Sequence, residues 1–233
     1  MEFLIVVIVL IIVIFILKKV FIINYKEMKK MGYNEKLDNA TQKYPDNKEI
    51  CKWYLKKLNN ETVEIEENIG RESCLYIAVT NKILIANMKN SFTRIQTIAH
   101  ECLHSIQGKN LLIFNFIFSN IYLLYFIVIS VLAAFNILPN NWLFLGVLSV
   151  LSMVYLSVRV YLENDAMIKA PYLAKEYMQD AKISSKEEVE EIINEYNRIN
   201  PAGIKGTNFQ LFLNVSIKII IFSLICFVRI VAF

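Results

Sequence analysis

Long apolar runs separate two polar, lysine-rich segments along the chain. The apolar runs cover residues 3–23, 111–138, 142–162 and 209–233. A helix needs about 20 apolar residues to cross the hydrocarbon core of a bilayer, and each run is near that length. Between Asn110 and Val158 the chain has no Asp, Glu, Lys or Arg, which a water-soluble fold does not require. The pattern therefore predicts a mainly α membrane protein with about four transmembrane helices.

The polar segment at residues 24–110 has the periodicities of a small α+β domain with a short sheet. The predicted elements are a helix at Asp46–Leu58, strands at Glu61–Glu66, Leu75–Val79 and Ile83–Ala86, and a helix at 91–107. Asn90 or Ser91 is the expected cap of the second helix, and Gly108 is its stop. Because the strand Ile83–Ala86 directly precedes this helix, an exposed edge there would hold an extended peptide by strand addition.

The second polar segment, residues 163–208, is predicted to be helical. Its first helix continues from the third apolar run, and Pro171 is expected to kink or end it. Ser185 and Glu188 have the spacing of a capping box, which opens a further helix.

Composition narrows the class of protein. Hydrophobic residues make up 56% of the chain, above the roughly 45–50% that is usual for soluble domains. With 6 Gly and 4 Pro, the chain is neither collagen-like nor of low complexity, and 4 Cys do not make a disulfide framework. The net charge is +4, and the lysines flank apolar runs rather than a base-reading motif, so nucleic acid is not an expected partner.

Lysine placement predicts the orientation in the membrane. Glu2 precedes the first apolar run, whereas Lys18 and Lys19 lie near its end and Lys26, Lys29 and Lys30 follow it. The positive-inside rule then puts both polar segments in the cytoplasm. The cysteines of the first polar segment would lie in a reducing compartment as free thiols.

The only two histidines of the chain, His100 and His104, fall four residues apart with Glu101 beside the first. On a helix, positions i and i+4 share a face, so both imidazoles can reach one ion. This is the H-E-x-x-H arrangement of zinc peptidases, in which the glutamate acts as general base on a metal-activated water. It predicts one Zn²⁺ per chain and Glu101 as the catalytic residue.

A catalytic zinc site needs a third protein ligand, and no histidine remains. Glu163 is the preferred candidate because it directly follows the third apolar run, where a membrane hairpin returns the chain. Asp165 is the neighbouring candidate, better suited as a partner of a ligating histidine. A straight hairpin would leave Glu163 well away from His104 along the helix axis, so a break at residues 108–110 is predicted.

These residues resemble the YugP-like neutral zinc metallopeptidases, a family of small bacterial membrane proteins. Residues 99–107 read A-H-E-C-L-H-S-I-Q and are similar to the family's A-H-E-x-G-H-A-I-Q, and residues 163–167 read E-N-D-A-M against E-F-D-A-S. The resemblance implies a gluzincin-like domain, a metal site of His100, His104 and Glu163, and a location in the bacterial cell membrane. Leu103 and Met167 depart from the family's glycine and serine.

The leading hypothesis is a membrane-embedded zinc endopeptidase that hydrolyses membrane or membrane-proximal proteins at the cytoplasmic face. Its partners would be the lipid bilayer and a protein or peptide substrate. The alternative is a catalytically silent zinc-binding scaffold or assembly factor, for which Leu103 is the sequence hint. Two weaker readings are an intramembrane peptidase that uses Asn200–Gly203 and a transporter that uses Lys218 as a pathway residue.

Overall fold

The computed structural model describes residues 1–68, 74–88 and 90–232, and these are mostly helical. The helices are α1 (Glu2–Val20), α2 (Tyr25–Met31), α3 (Glu35–Gln42), α4 (Asn47–Lys57), α5 (Arg94–Ile106), α6 (Lys109–Ala134), α7 (Asn141–Ala181) and α8 (Lys186–Ala232). The strands are β1 (Glu64–Asn68), β2 (Leu75–Ile77) and β3 (Lys82–Ala86). The predicted mainly α fold with a short sheet is confirmed.

Four helices are long and apolar enough to cross a membrane by their length and composition: α1, α6, α7 and α8. They contain the four apolar runs, so the predicted number of such helices is confirmed. Helices α7 and α8 are much longer than their apolar runs. The polar segment at residues 163–208 is divided between them, so that its first part extends α7 and its last part begins α8.

Neither proline inside a predicted helical region ends its helix. α7 continues through Pro171 and α8 through Pro201, so the expectation that the helix ends at Pro171 is wrong. A proline removes one backbone hydrogen bond, but Ala170 and Ala174 on either side of Pro171 are completely buried. Burial of this stretch favours a continuous helix despite the missing bond. The capping box is confirmed, because Ser185 and Glu188 exchange backbone-to-side-chain hydrogen bonds of 3.2 Å.

The chain divides into two compact units. The helical unit contains residues 1–23, 114–161 and those from 205 onwards, and its core is formed by side chains such as Phe3, Tyr122, Leu148 and Phe222. Within it, the Nζ atom of Lys218 lies 5.2 Å from the ring centre of Tyr122 and 3.3 Å from the carbonyl oxygen of Asn214. The lysine therefore has polar and aromatic partners inside this unit.

The mixed unit contains residues 24–113 and 162–204 and holds the sheet. The strand order is β1-β3-β2, with β1 parallel and β2 antiparallel to β3. Ile83 of β3 thus pairs with Ile65 on one side and Tyr76 on the other. Because β3 is the central strand, the prediction of an open peptide-binding edge at Ile83–Ala86 is wrong. Among the described residues, the outer strands of the sheet are β1 and β2.

The core of the mixed unit lies between α4, the sheet, α5 and the polar parts of α7 and α8. Its fully buried side chains include Ile50, Tyr54, Ile83, Ile98 and Tyr196. Burial alternates along the first part of β3, where Ile83 and Ile85 are buried and Leu84 is only half-buried. The apolar positions of α4 and α5 that suggested amphipathic helices are those that pack here.

Candidate metal centre

Helix α5 carries the histidines and begins three residues later than predicted. It starts at Arg94 rather than at residue 91, because residues 91–93 form a turn before it. The side chain of Asp38 accepts a 2.7 Å hydrogen bond from the backbone N–H of Phe92, and the hydroxyls of Ser91 and Thr93 bond to each other. These contacts stabilise a turn at residues 91–93, where a first helical turn was predicted.

One face of α5 packs in the core of the mixed unit, and another carries the two histidines. Ile95, Ile98 and Cys102 are completely buried in the core of the mixed unit. His100 and His104 lie on another face, with ring centres 4.5 Å apart. The helical period therefore separates a packing face from an imidazole face, as the i, i+4 spacing predicted.

A break after α5 brings Glu163 to the histidines. Gln107 is extended, with φ −62° and ψ 151°, and α6 starts anew at Lys109. The predicted break is thus confirmed, one residue before the predicted range of 108–110. Both histidines and Glu163, which lies on α7, belong to the mixed unit.

The three candidate ligands converge on one point. The Nε2 atoms of His100 and His104 are 3.0 Å apart, and the Oε2 atom of Glu163 lies 3.4 Å from the first and 3.6 Å from the second. Ligand atoms at about 2.0–2.1 Å from a tetrahedral zinc are about 3.3–3.4 Å from one another. The triangle of donor atoms therefore fits such an ion without a large rearrangement, and two imidazoles with a carboxylate are a donor set that zinc accepts.

The candidate metal ligands are mostly buried, but each keeps some exposed surface. The side chains of His100, His104 and Glu163 are 18%, 11% and 14% exposed. Among the residues that the structure describes, no other His, Cys, Asp or Glu joins this group of donors. A structural zinc site is closed by four protein ligands, whereas three ligands leave a coordination position for water or substrate.

The electrostatic field at His104 favours a positive charge. Burial lowers the pKa of His104, but its hydrogen bond with Glu163 and the negative charges of Glu101 and Glu163 outweigh burial, so the pKa is raised. Protons and a metal cation would therefore compete for the same nitrogen.

Gln107 orients one of the histidines, and sequence reasoning did not assign it a role. Its amide Nε2 donates to the carbonyl oxygen of Leu162 at 2.8 Å and to the carboxylate of Asp165 at 3.1 Å. Its Oε1 atom must then be the one that lies 2.8 Å from Nδ1 of His104. Asp165 thus reaches the histidine through Gln107 rather than directly as predicted.

Glu101 is buried on a third side of α5, toward the sheet. Its Oε2 atom accepts a 2.7 Å hydrogen bond from the backbone N–H of Tyr76 in strand β2. Glu101 does not belong to the group of convergent ligand atoms, in agreement with a role other than metal ligation. No sequence pattern indicated the link to Tyr76, because a backbone donor carries no side-chain signature.

The two residues between Glu101 and His104, Cys102 and Leu103, are buried in the core of the mixed unit. Leu103, which stands where the similar motif of the YugP-like peptidases has glycine, is 6% exposed and belongs to the core of the mixed unit. The thiol of Cys102 is completely buried, 3.5 Å from that of Cys51, and burial raises its pKa well above the usual range. Cys102 is therefore a packing residue and not an activated nucleophile.

Comparisons with protein families, with characterised proteins and with solved structures find no match to this chain.

Proposed function

We propose that the protein is a zinc-dependent, membrane-anchored endopeptidase of the gluzincin type. The observation that carries the proposal is the convergence of His100, His104 and Glu163 on one point, with donor atoms 3.0–3.6 Å apart and Glu101 next to the first ligand in the chain. The similarity of residues 99–107 and 163–167 to the YugP-like metallopeptidases supports the same assignment.

Each residue has a definite task in this proposal. When bound, zinc supplies Lewis acidity, which polarises a peptide carbonyl and makes water a stronger acid. Glu101 would take the proton that water loses as its oxygen bonds to the carbonyl carbon, and would return it to the departing amine. The N–H of Tyr76 holds one oxygen of the Glu101 carboxylate and so restrains its orientation. Gln107 would keep the Nε2 atom of His104 available to the metal.

The open coordination position favours an enzyme over a scaffold. A zinc that served only to hold the fold together would have four protein ligands, and three donors converge among the described residues. The alternative function, a silent zinc-binding scaffold or assembly factor, remains an outcome of the experiment below.

The membrane assignment defines the class of substrate. Glu163 follows an apolar run directly, and His104 precedes another by seven residues. A reaction centre so close in sequence to two spans would act on membrane proteins or on their juxtamembrane segments. The lysine bias of the polar segments supports a cytoplasmic location for the site in a bacterial cell membrane.

The test is a paired measurement of zinc content and of casein cleavage on the full chain in detergent. The wild type should hold about one zinc and cleave. Glu101→Gln should keep its zinc and lose roughly 10²–10⁴-fold in rate, because general acid–base catalysis contributes about that factor. Glu163→Gln should bind zinc more weakly. Glu176→Gln is the matched control, since that carboxylate also lies on α7 but is exposed and pairs with Lys57.

Three results would contradict the proposal. Cleavage by Glu101→Gln at the wild-type rate would remove the assigned base. Zinc retained by all variants, with cleavage by none of them, would favour the scaffold. If the wild type holds no zinc, His100 and His104 do not form a zinc site.

A further inference from the structure

A separate cavity of about 200 Å³ lies in the mixed unit. Its walls come from α2, from the first turns of α5 and the turn before it, from α7 and from the polar part of α8. All of the lining residues are half-buried, as expected for the walls of a cavity that opens to solvent. None of them is a candidate metal ligand.

The cavity lies one helical turn from the candidate metal centre on two helices at once. Gln96 and Thr97 precede His100 by four and three residues on α5, and Met167 follows Glu163 by four residues on α7. One turn of α-helix rises about 5.4 Å. A residue next to a scissile bond held at the metal centre would have its side chain within reach of this cavity, because neighbouring residues of an extended chain are separated by about 3.3 Å.

Three methionines give the cavity an adaptable apolar wall. Met28, Met31 and Met167 line it together with Ile199. Thioether side chains are unbranched and polarisable, and they adjust to apolar groups of different shape. A cavity of about 150 Å³ accommodates benzene, so this one has room for an aromatic ring or a long aliphatic side chain.

Hydrogen bonds join three of the lining residues, Gln96, Asn200 and Met167. The amide of Asn200 donates to the carbonyl oxygen of Met167 at 2.9 Å, so its oxygen faces Gln96, whose Nε2 donates to it at 3.3 Å. This chain of bonds fixes the orientation of the Gln96 amide. Its Oε1 atom is buried and accepts no hydrogen bond within the described part of the protein.

We propose that this cavity is the specificity pocket of the peptidase and takes the side chain of a large apolar substrate residue, such as Met, Leu or Phe, adjacent to the scissile bond. This inference rests on the proposed function, and it specifies which substrate residue the peptidase prefers. Gly203 is the position from which the pocket can be narrowed, because a Cβ atom there would lie 3.1 Å from the terminal methyl of Met167.

The test compares the cleavage preferences of the full-length wild type and two pocket variants on a mixture of peptides derived from digested membrane proteins. The wild type should favour large apolar residues at one position beside the cleaved bond. Gly203→Leu should shift that preference toward Ala and Gly by at least about 10-fold in the ratio of kcat/KM values, the effect of a methylene or more in an apolar pocket. Met167→Ala should shift it toward Phe and Trp.

Gly146→Leu is the matched control, because no atom lies within 4 Å of a Cβ built at that glycine. Zinc content of one per chain confirms that each variant is folded at the site. If the wild type cleaves but shows no preference beside the scissile bond, or if neither variant shifts that preference, the pocket assignment is overturned while the proposed function stands. If the wild type does not cleave, both are overturned.

Discussion

The side-chain oxygen of Gln107 lies 2.8 Å from Nδ1 of His104, at the point where α5 ends. Because both amide protons of Gln107 are donated elsewhere, this oxygen accepts the Nδ1 proton, and the lone pair of the ring is on Nε2, toward His100 and Glu163. Partners of this kind fix the tautomer and the ring orientation of a ligating histidine.

Replacement of Gln107 by leucine should weaken zinc binding by about 10–100-fold, because the preferred tautomer and orientation of His104 are lost. Competition with a coloured chelator measures the dissociation constant. Gln42→Leu, at an exposed glutamine on α3, is the control and should bind zinc like the wild type. An unchanged affinity in Gln107→Leu would show that the contact does not organise the site.

Arg94 should be essential for the stability of the mixed unit. Its guanidinium is completely buried and donates to the carbonyl oxygens of Thr41, Tyr44 and Pro45 and to the side chain of Asn47. Arg94→Met would leave these buried acceptors unpaired, at about 1–3 kcal/mol each. We expect the free energy of unfolding to fall by about 3 kcal/mol or more in urea titrations.

The matched control for Arg94 is Arg198→Met on α8. Arg198 is exposed and pairs with Glu195 three residues before it, an arrangement that contributes little to stability. Its replacement should change the free energy of unfolding by less than about 0.5 kcal/mol. Equal effects of the two substitutions would contradict the structural role of Arg94.

Leu103→Gly, which introduces the residue that the YugP-like peptidases have at the similar position, should destabilise the protein without increasing its activity. Leu103 is a core residue, so the change removes a buried side chain and adds a glycine to the last turn of α5. The expected loss is about 3 kcal/mol or more in the free energy of unfolding. Leu103→Met keeps the volume and should cost under about 1.5 kcal/mol. A gain in cleavage rate per bound zinc in Leu103→Gly would show instead that Leu103 restricts the site.

The cysteines of the mixed unit should react slowly with thiol reagents. Burial raises the pKa of Cys102 well above its usual range and that of Cys74 to about 11. At pH 8 about one Cys74 in a thousand would then be the reactive thiolate. Labelling by a maleimide, followed by mass spectrometry, should be at least about 100-fold slower than at a cysteine introduced at the exposed Asn39. Equal rates before and after unfolding would contradict this burial.

Orientation is testable with two single cysteines placed on opposite sides of the predicted spans. Lys30→Cys should be protected from a membrane-impermeant maleimide in intact cells, and Asn140→Cys should be labelled, since the lysine bias predicts that residue 30 lies in the cytoplasm. The reverse pattern would invert the topology and place the site outside the cell.

Local patterns predicted a large part of the fold. The helix at Asp46–Leu58 is α4, the capping box at Ser185 is formed, and each of the three predicted strands overlaps an observed one. These features depend on side-chain period and on hydrogen bonds between residues close in the chain, which the sequence carries directly. The start of α5 was predicted three residues early because Asp38, which holds the preceding turn, is distant in sequence.

The sequence by itself determined the donor types and their spacing: two histidines on one helix face, a glutamate between them and a carboxylate after the third apolar run. Only the tertiary structure decided that β3 is central, that α7 continues past Pro171, and that Gln107 and the N–H of Tyr76 orient His104 and Glu101. The physical reason is that a pattern along the chain fixes which face a side chain occupies. The partner across that face is chosen by the packing of distant segments, and a backbone donor has no residue type by which to recognise it.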